Sequence, residues 1–319
     1  MNPHEMSDRM SARPSGRVES TRALTLGRLA TAATKDHDSI TKSSGRNERL
    51  SVAQLHMLKQ TLTDRDLAVV DLLTTLRLAS GRQIRHLLWG DSPSDARGGR
   101  RQLKKLADLR VVARLGRSIG GARAGSDGYV YALDALGQNV AGRPSQRRRP
   151  RTPGMSFVAH TVAVSECYLA LRDLQASGAI ELMGFSGEPE CWRTYTRPGG
   201  ARGYLKPDAY VVVGIGEYLD RWFLECDQDT ENPGRLLRKM EEYVRYERSG
   251  REEAEYGVFP RVLWVVPTER RKGQLVRVLG ELRSEHWRLF QIATTAEFSQ
   301  AIRAGAGPHD WNINERRNN

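Results

Sequence analysis

Two segments decide the fold of this chain: Leu205-Lys206-Pro207-Asp208-Ala209-Tyr210-Val211-Val212-Val213 and Arg221-Trp222-Phe223-Leu224-Glu225-Cys226-Asp227. Each combines β-branched and aromatic residues in a way that predicts a strand. If the two strands pair as a hairpin, Asp208 comes close to Glu225, and Asp227 shares the face of Glu225 because side chains alternate with period two. Converging carboxylates repel each other unless a proton or a cation compensates, so the pattern indicates Mg²⁺ or Mn²⁺ as a partner.

Around these strands, helical and strand patterns alternate over residues 155–304. Strands are predicted at Ile180–Phe185, Tyr204–Val213, Tyr218–Cys226, Arg261–Val266 and Trp287–Ala293, and helices at Ser156–Ala176, Arg235–Arg248, Glu269–Arg283 and Thr295–Arg303. The apolar run Val262–Val266 suits a buried central or parallel strand. This order favours an α/β (α+β) fold with a mixed sheet flanked by helices.

The preceding part of the chain, residues 59–142, shows three helical patterns followed by two short strands. The helices begin after Thr63, after Ser80 and at Ala96. The strands Val111–Leu115 and Gly128–Leu133 flank a Gly-rich loop. Three helices and a hairpin in this order are typical of a winged helix-turn-helix, which binds either DNA or another protein.

Most of the net charge of +12 lies in one stretch. Residues 96–151 carry 14 Lys and Arg against 3 Asp and Glu, the footprint of a polyanion-binding protein or of a solvated basic surface. The candidate DNA contacts lie on the third helix, on the hairpin and in a Pro-rich linker: Arg97, Arg100, Arg101, Lys104, Lys105, Arg117, Arg123, Arg147, Arg148 and Arg149. Double-stranded DNA is the predicted partner.

Composition divides the chain into five segments. They are a disordered basic arm, the winged-helix domain, an Arg- and Pro-rich linker, the α/β domain and a polar tail, over residues 1–58, 59–142, 143–154, 155–304 and 305–319. No apolar run approaches the ~20 residues of a membrane span, and the first residues lack the pattern of a secretory signal. The three cysteines show no pairing or metal-ligand spacing, so we expect a cytoplasmic protein without a membrane partner.

Residues 156–266 resemble the PD-(D/E)XK nuclease fold. Pro207-Asp208 stands for the PD element, and Glu225-Cys226-Asp227 stands where Glu-x-Lys is usual. The resemblance implies that Asp208 and Glu225 hold the metal and that Glu166, on the leading helix, adds a third carboxylate. Asp227 occupies the position of the usual catalytic lysine. Lys239, on the following helix, is the candidate for a migrated lysine, and Lys206 is a second candidate.

Together with the upstream winged helix, about residues 60–270 resemble the replication-relaxation family of bacterial plasmids and integrative elements. The matching motifs are FVAHTVAVSE at 157–166, KPDAY at 206–210, FLECD at 223–227 and LLRKMEEYVRY at 236–246. The resemblance implies a DNA-binding protein of a mobile element or its bacterial host that acts in DNA replication, relaxation or mobilisation, with replication or mobilisation proteins as further partners. It leaves a homodimer open.

Two functions follow from these features. In the first, a metal-bound water attacks a phosphodiester, which makes the chain an Mg²⁺- or Mn²⁺-dependent endonuclease. In the second, the chain is a non-catalytic replication-initiation or transcription factor, and the α/β domain serves dimerisation or partner binding. The sequence has no GxxxxGK[ST] motif of an ATPase and no HxH pattern of a tyrosine relaxase. We therefore expect Tyr243 and Tyr246 to pack in the core, and His160 to be a partly buried, hydrogen-bonded residue.

Overall fold

The computed structural model describes residues 52–117, 129–143 and 153–305 of the chain. They belong to two compact units, residues 1–64 and residues 65–319. In the first unit, helix α1 (Val52–Thr61) lies partly within the segment predicted to be a disordered arm. The prediction is wrong for these residues, since Ala, Gln, Leu, Met and Lys in this stretch are all good helix formers.

The second unit starts with a group of helices and a small sheet. Its elements are α2 (Asp64–Leu76), β1 (Ala79–Ser80), α3 (Gly81–Leu88), α4 (Pro93–Asp108), β2 (Val112–Arg117), β3 (Tyr129–Leu133) and α5 (Ala135–Val140). Ser80 is the N-cap of helix α3, as predicted, and forms a capping box with Gln83. The three strands pair antiparallel in the order β1-β3-β2. Three helices and a hairpin thus follow one another in the predicted order, and β1 and α5 are additions too short to leave a periodic pattern.

The larger sheet is mixed, with the strand order β10-β9-β8-β7-β4. Its strands are β4 (Glu181–Gly187), β7 (Ala209–Ile215), β8 (Tyr218–Cys226), β9 (Arg261–Val266) and β10 (Phe290–Thr294). Strand β9 is parallel to both of its neighbours and all six of its residues are buried, whereas β4, β7 and β8 pair antiparallel. The predicted mixed α/β fold is therefore confirmed.

Helices cover both faces of this sheet. They are α6 (Met155–Ala176), α7 (Pro233–Glu247), α8 (Arg251–Tyr256), α9 (Glu269–Leu279), a 3₁₀ helix (Ser284–Leu289) and α10 (Phe298–Arg303). On one face, α6 and α10 pack on Trp222 and Leu224. On the other, α7 and α9 pack on Phe223 and Trp264. Consecutive residues of β8 thus enter opposite cores, as the period-two alternation of a strand requires.

The segment predicted as one strand over Tyr204–Val213 is two strands. Strand β6 (Arg202–Leu205) ends before Lys206-Pro207-Asp208, and β7 starts at Ala209. Pro207 has no N–H to donate to a ladder, so the chain changes partner there. Strand β6 pairs with β5 (Arg193–Thr196), a strand that we did not predict, and β7 pairs with β8.

Other boundaries also differ from the prediction: α4 begins at Pro93 and not at Ala96, and α10 begins at Phe298 and not at Thr295. The helix predicted over Glu269–Arg283 ends at Leu279, where Gly280, a poor helix former, is the C-cap. The strand predicted to start at Trp287 starts at Phe290, because the preceding residues form the 3₁₀ helix.

Helix α6 joins the small sheet to the large one. Ser165 Oγ donates a hydrogen bond to the carbonyl of Leu78 at 2.5 Å, and Gln83 Nε2 donates to the carbonyl of Val162 at 3.1 Å. The two predicted domains therefore pack against each other within one unit. Among the helices of the described residues, none combines the length and the apolar character that crossing a bilayer requires.

Candidate functional site

Asp208 lies where β7 begins, beside the last residues of β8. Its backbone N–H donates to the carbonyl of Leu224 at 3.0 Å, so the residue is held in the ladder. Its carboxylate is buried, and Oδ2 accepts a hydrogen bond from the backbone N–H of Cys226 at 2.7 Å. The hairpin pairing predicted from the sequence thus places this carboxylate at the end of β8.

Glu225, on β8, is fully buried and faces helix α7. Tyr243 Oη donates to Oε1 at 2.5 Å, and Lys239 Nζ lies 2.5 Å from Oε2. The Lys239 contact is an ion pair that lacks the alignment of a hydrogen bond. Oε2 accepts no hydrogen bond from the described residues. Lys239 and Tyr243 are one turn apart on α7, so both reach the same carboxylate.

His160 completes the cluster from the opposite side of the sheet. It lies in the first part of α6, and its Nε2 is 3.1 Å from Asp208 Oδ1. We had expected a partly buried, hydrogen-bonded histidine and did not assign it to the site. A sequence signal exists in its helical spacing with Val164, Cys167 and Leu171, which places it on the face of α6 that packs on the sheet.

The groups of this cluster shift one another's pKa. Burial raises the pKa of Glu225 to about 8, against the opposing effect of Lys239. Burial would also raise the pKa of Asp208, but the charge of Lys239 and the hydrogen bond from His160 together lower it. The hydrogen bond to Asp208 raises the pKa of His160. Burial opposes the charge on Lys239, yet Glu225 and Asp208 raise its pKa, so the ammonium stays protonated.

Two carboxylates of the predicted site are bound elsewhere. Arg271 of α9 donates to Asp227 through Nε at 2.5 Å and through a terminal nitrogen at 3.0 Å, so Asp227 serves a buried ion pair. The carboxylate of Glu166 binds Arg82 at 2.6 Å and Gln83 at 2.7 Å on α3. The structure thus brings together Asp208, Glu225 and Lys239 and gives Asp227 and Glu166 other partners.

A small cavity adjoins the cluster. Its volume is about 40 Å³, room for a few water molecules, and it is lined by His160, Cys226, Asp227, Gln228, Thr230, Glu231, Lys239 and Trp264. No group of three or more His, Cys, Asp and Glu side chains within the described ranges is arranged to hold a metal ion. Mg²⁺, however, is commonly bound by one or two carboxylates, with water and substrate phosphate as its other ligands. Asp208 and Glu225 supply two carboxylates of that kind, although Lys239 Nζ lies 2.5 Å from Oε2 of Glu225.

The predicted DNA contacts on α4 fall into two groups. Lys104 pairs with Asp108 at 2.7 Å, and Lys105 pairs with the buried Asp66 at 2.9 Å. Arg97 and Arg101 are exposed and Arg100 is half-buried, and none of these arginines has a carboxylate partner in the described part of the chain. The arginines are therefore the cations that α4 leaves open to a polyanion.

The remaining predicted DNA contacts fall largely outside the described residues. The backbone of Arg117 ends strand β2. The Arg117 side chain and the whole of Arg123, Arg147, Arg148 and Arg149 lie outside the described residues.

The fold and the cluster define a mixed α/β protein in which two buried carboxylates meet a helical lysine at one end of the sheet. Residues 70–262, more than half of the chain, match the replication-relaxation family. The chain belongs to the replication-relaxation family, as its sequence motifs predicted. The name of the family indicates a role in replication or relaxation.

Two other comparisons complete these findings. No curated protein matches the chain. Among solved structures, the restriction endonuclease FokI bound to DNA aligns at 11% identity with a TM-score of 0.25, and the alignment covers 81% of this chain. The chain spans about half of that enzyme's length, 52%.

Proposed function

We propose that this chain is a DNA-binding protein of a bacterial mobile element, and that Asp208, Glu225 and Lys239 form a metal-dependent phosphodiesterase centre. Its α2–β3 part acts as a winged helix on duplex DNA, and its larger sheet acts as a PD-(D/E)XK nuclease domain. The protein would serve the replication, relaxation or mobilisation of the element by nicking or cutting one of its DNA strands.

The position of Lys239 carries this proposal. Asp227 stands where the lysine of Glu-x-Lys is usual, and Arg271 holds it in an ion pair. Lys239 reaches Glu225 from helix α7 instead, at 2.5 Å. The pair of carboxylates and the cation that phosphodiester hydrolysis needs are therefore together, although the cation comes from another element.

Each residue of the cluster has a distinct role in the proposed reaction. Asp208 and Glu225 would hold Mg²⁺ or Mn²⁺, which lowers the pKa of a bound water and stabilises charge on the phosphate. Lys239 orients the attacking water and offsets the negative charge that develops on the phosphate oxygens. His160 and Tyr243 are positioning residues, since each fixes one carboxylate oxygen by a hydrogen bond or an ion pair.

Duplex binding is assigned to α4 and the β2–β3 hairpin. A helix fits the major groove of B-DNA, and arginine side chains bind phosphates and the edge of guanine. Arg100 and Arg101 come three and four residues after Arg97 on α4, so each is a surface neighbour of Arg97 on the helix. The hairpin would contact the adjacent backbone as a wing.

One observation favours the non-catalytic alternative. Within the described residues the two carboxylates find no third acidic, cysteine or histidine ligand, and Lys239 already offsets part of their charge. In that case the protein would bind DNA as an initiation or transcription factor without cutting it.

Incubation with supercoiled plasmid distinguishes the two functions. The wild-type chain is compared with Asp208→Asn, Glu225→Gln and Lys239→Met, each in Mg²⁺, in Mn²⁺ and in EDTA. Glu217→Gln, which changes an exposed acid in the turn between β7 and β8, is the matched control. We expect metal-dependent nicking or linearisation in the wild type and in the control, and its loss in the three variants. Shifted but intact plasmid in every lane would instead establish the non-catalytic factor.

Calorimetric titration with Mn²⁺ tests the metal site separately from cleavage. The wild type should release or absorb heat on binding, and Asp208→Asn should not. Thermal unfolding of both proteins shows whether the variant is folded. A folded wild type that gives no heat would remove the metal from the proposal.

A further inference from the structure

Strands β5 and β6 lie between β4 and β7 in the sequence. They form a separate two-stranded ribbon outside the main sheet. In the ribbon, Thr194 pairs with Tyr204 and Thr196 pairs with Arg202. Side chains of paired residues lie on the same face of a ribbon, and the faces alternate along each strand. The ribbon therefore has two distinct faces, which differ in burial and in chemistry.

The inner face of the ribbon is anchored to the core. Tyr195 and Leu205 are buried with residues of α7, and Tyr195 Oη donates to Glu242 at 2.5 Å. Gly203 lies under the ring of Tyr195, where a Cβ atom would come within 2.5 Å of the ring. A side chain at position 203 would displace this ring, so the ribbon has a defined position on the domain.

The outer face presents two aromatic rings to solvent. Trp192 is 39% exposed and Tyr204 is 50% exposed. Lys206 Nζ lies 4.4 Å from the centre of the Trp192 ring, and the Arg202 guanidinium lies 5.8 Å from the centre of the Tyr204 ring. Each exposed ring is thus accompanied by a cation.

All charged side chains of the ribbon segment are basic. Residues 191–206 contain four Lys and Arg and no Asp or Glu. The two arginines of the inner side are paired with carboxylates of neighbouring helices, Arg193 with Glu252 at 2.8 Å and Arg197 with Glu242 at 2.7 Å.

The two outer cations differ from the inner ones. Arg202 and Lys206 have no carboxylate partner among the residues that the structure describes, and their contacts are with the two exposed rings. The outer face therefore carries a net positive charge next to exposed aromatic surface.

We propose that this outer face binds single-stranded DNA, with bases stacked on Trp192 and Tyr204 and with phosphates bound by Lys206 and Arg202. Alternating aromatic and basic side chains bind single strands because every unpaired base has an open π-face. In a duplex those faces are covered by the neighbouring base pairs. The proposal deepens the proposed function, on which it rests, by naming an unpaired strand as the substrate that the cluster receives.

The ribbon leads directly to the candidate active site. Lys206 is two residues before Asp208, which is at most about 7 Å along an extended backbone. Cys191 Sγ donates to the carbonyl of Pro207 at 3.0 Å, and this bond ties the start of the ribbon to the residue before Asp208. A strand bound along the outer face therefore has one end beside the carboxylates.

Fluorescence anisotropy with a labelled oligo-dT, compared with a labelled duplex, tests the proposal on the full chain. The variants are Trp192→Leu and Tyr204→Leu, which keep an apolar side chain, and Trp192→Phe and Tyr204→Phe, which keep an aromatic ring. Tyr218→Leu is the matched control, because Tyr218 is a 78% exposed tyrosine at the end of β8 remote from Glu225. All the changed rings are exposed, so thermal unfolding should show a folded domain in each variant.

We expect each leucine variant to weaken oligo-dT binding about fivefold or more, as loss of one stacked base predicts, and to leave duplex binding unchanged. The phenylalanine variants should retain most of the affinity. The double variant Arg202→Gln, Lys206→Gln should reduce the slope of log K against log salt by about 1.4, since each phosphate contact on a single strand contributes about 0.7.

Several results would overturn the proposal. They are wild-type affinity for oligo-dT in the leucine variants, no oligo-dT binding by the wild type, or an equal loss of duplex binding. Tighter binding of oligo-U than of oligo-dT would assign the face to RNA instead. The plasmid assay is independent of these outcomes. Normal nicking with unchanged oligo-dT binding in the leucine variants would refute only the proposal that the ribbon binds single strands. Ring-dependent oligo-dT binding without any nicking would refute only the proposal that the cluster cleaves DNA.

Discussion

Lys239 Nζ lies 2.5 Å from Glu225 Oε2, and this contact joins the first half of helix α7 to the end of strand β8. Glu225 is fully buried, whereas 29% of the Lys239 side chain is exposed. Lys239 and Tyr243 therefore stabilise the charged form of Glu225, and the Lys239 side chain remains partly exposed to solvent. A lysine in this position serves both the stability of the site and the chemistry proposed for it.

The first prediction concerns the stability of this pair. Lys239→Met and Glu225→Gln should each destabilise the protein, because each leaves a partner in the core without its counter-charge. The double variant should cost less than the sum of the two, with a coupling of about 1 to 3 kcal/mol. Urea unfolding of the four proteins measures this coupling. Additive effects would show that the two side chains are not in contact in solution.

Duplex binding supplies the second prediction. Arg100→Gln with Arg101→Gln should weaken binding to duplex DNA and reduce the slope of log K against log salt by about 0.9 for each phosphate contact removed. Both side chains lack a carboxylate partner in the described residues, so the folded state should be unaffected. Salt titrations by anisotropy, with unfolding curves of the same variants, provide the measurement. Unchanged affinity and slope would remove α4 from the DNA interface.

Lys105 gives the third prediction, which contrasts with the second. Its ammonium lies 2.9 Å from Asp66, whose carboxylate is fully buried at the start of α2. Gln102 also donates to this carboxylate. Lys105→Met should therefore lower the free energy of unfolding by about 2 kcal/mol or more, since it leaves a buried carboxylate with one cation fewer.

The same variant separates a structural role from a DNA contact. If Lys105 contacts DNA, Lys105→Met should reduce the slope of log K against log salt for duplex binding and should change the free energy of unfolding little. The structure predicts the reverse, a loss of stability with a salt slope close to that of the wild type.

Long periodic elements could be predicted from the sequence to within a few residues. Strand β8 has the predicted bounds, and helices α6 and α7 start and end within two residues of theirs. Their patterns extend over several turns or strand repeats, so a single atypical residue does not hide them. The hairpin of β7 and β8, and with it the approach of Asp208 to Glu225, followed from the same patterns.

Choices between distant partners could not be predicted. Whether Asp227 joins a metal site or an ion pair depends on Arg271, which helix α9 brings beside it. The contact of His160 with Asp208 depends on how α6 crosses the sheet. Pro207 alone indicates a break in the predicted strand, but the partner of the residues before it depends on β5, a strand that we did not predict. Single-sequence patterns contain local preferences, whereas these outcomes depend on tertiary packing.

A fourth prediction concerns pH. His86 on α3 contacts Asp173 of α6 at 2.8 Å and Asp91 at 2.7 Å, and the hydrogen bond to Asp173 raises the pKa of His86. A group whose pKa is higher in the folded state stabilises that state fully below its unfolded pKa, about 6.5, and loses this contribution as the pH rises through the folded pKa. The stability difference between wild type and His86→Gln should therefore be largest below pH 6 and should shrink towards pH 8.

Urea unfolding at a series of pH values tests this fourth prediction. Asp173→Asn should reproduce the reduced pH dependence, because it removes the acceptor that raises the pKa of His86. A stability difference that stays constant from pH 5 to pH 8 would mean that His86 titrates alike in the folded and unfolded states.

Two glycines in helices make the fifth prediction, because the structure assigns opposite outcomes to the same substitution. Gly137 in α5 lies against the backbone of Val111, and a Cβ atom there would be 2.1 Å from the Val111 carbonyl oxygen. That oxygen also accepts a hydrogen bond from the backbone N–H of Asp134 at 3.0 Å, so it has little freedom to move. Gly137→Ala should lower the free energy of unfolding by about 1 to 3 kcal/mol, the usual cost of overpacking.

Gly273 in the interior of α9 is the matched control, because no atom beyond its chain neighbours and the adjoining helical backbone lies within 4 Å of the Cβ position. Alanine favours the helix over glycine, so Gly273→Ala should raise the free energy of unfolding by about 0.5 to 1 kcal/mol. Urea unfolding of both variants measures the two effects under the same conditions. A neutral Gly137→Ala would mean that α5 does not pack on Val111, and the hairpin proposed as a wing would then lack the support that α5 gives to its base.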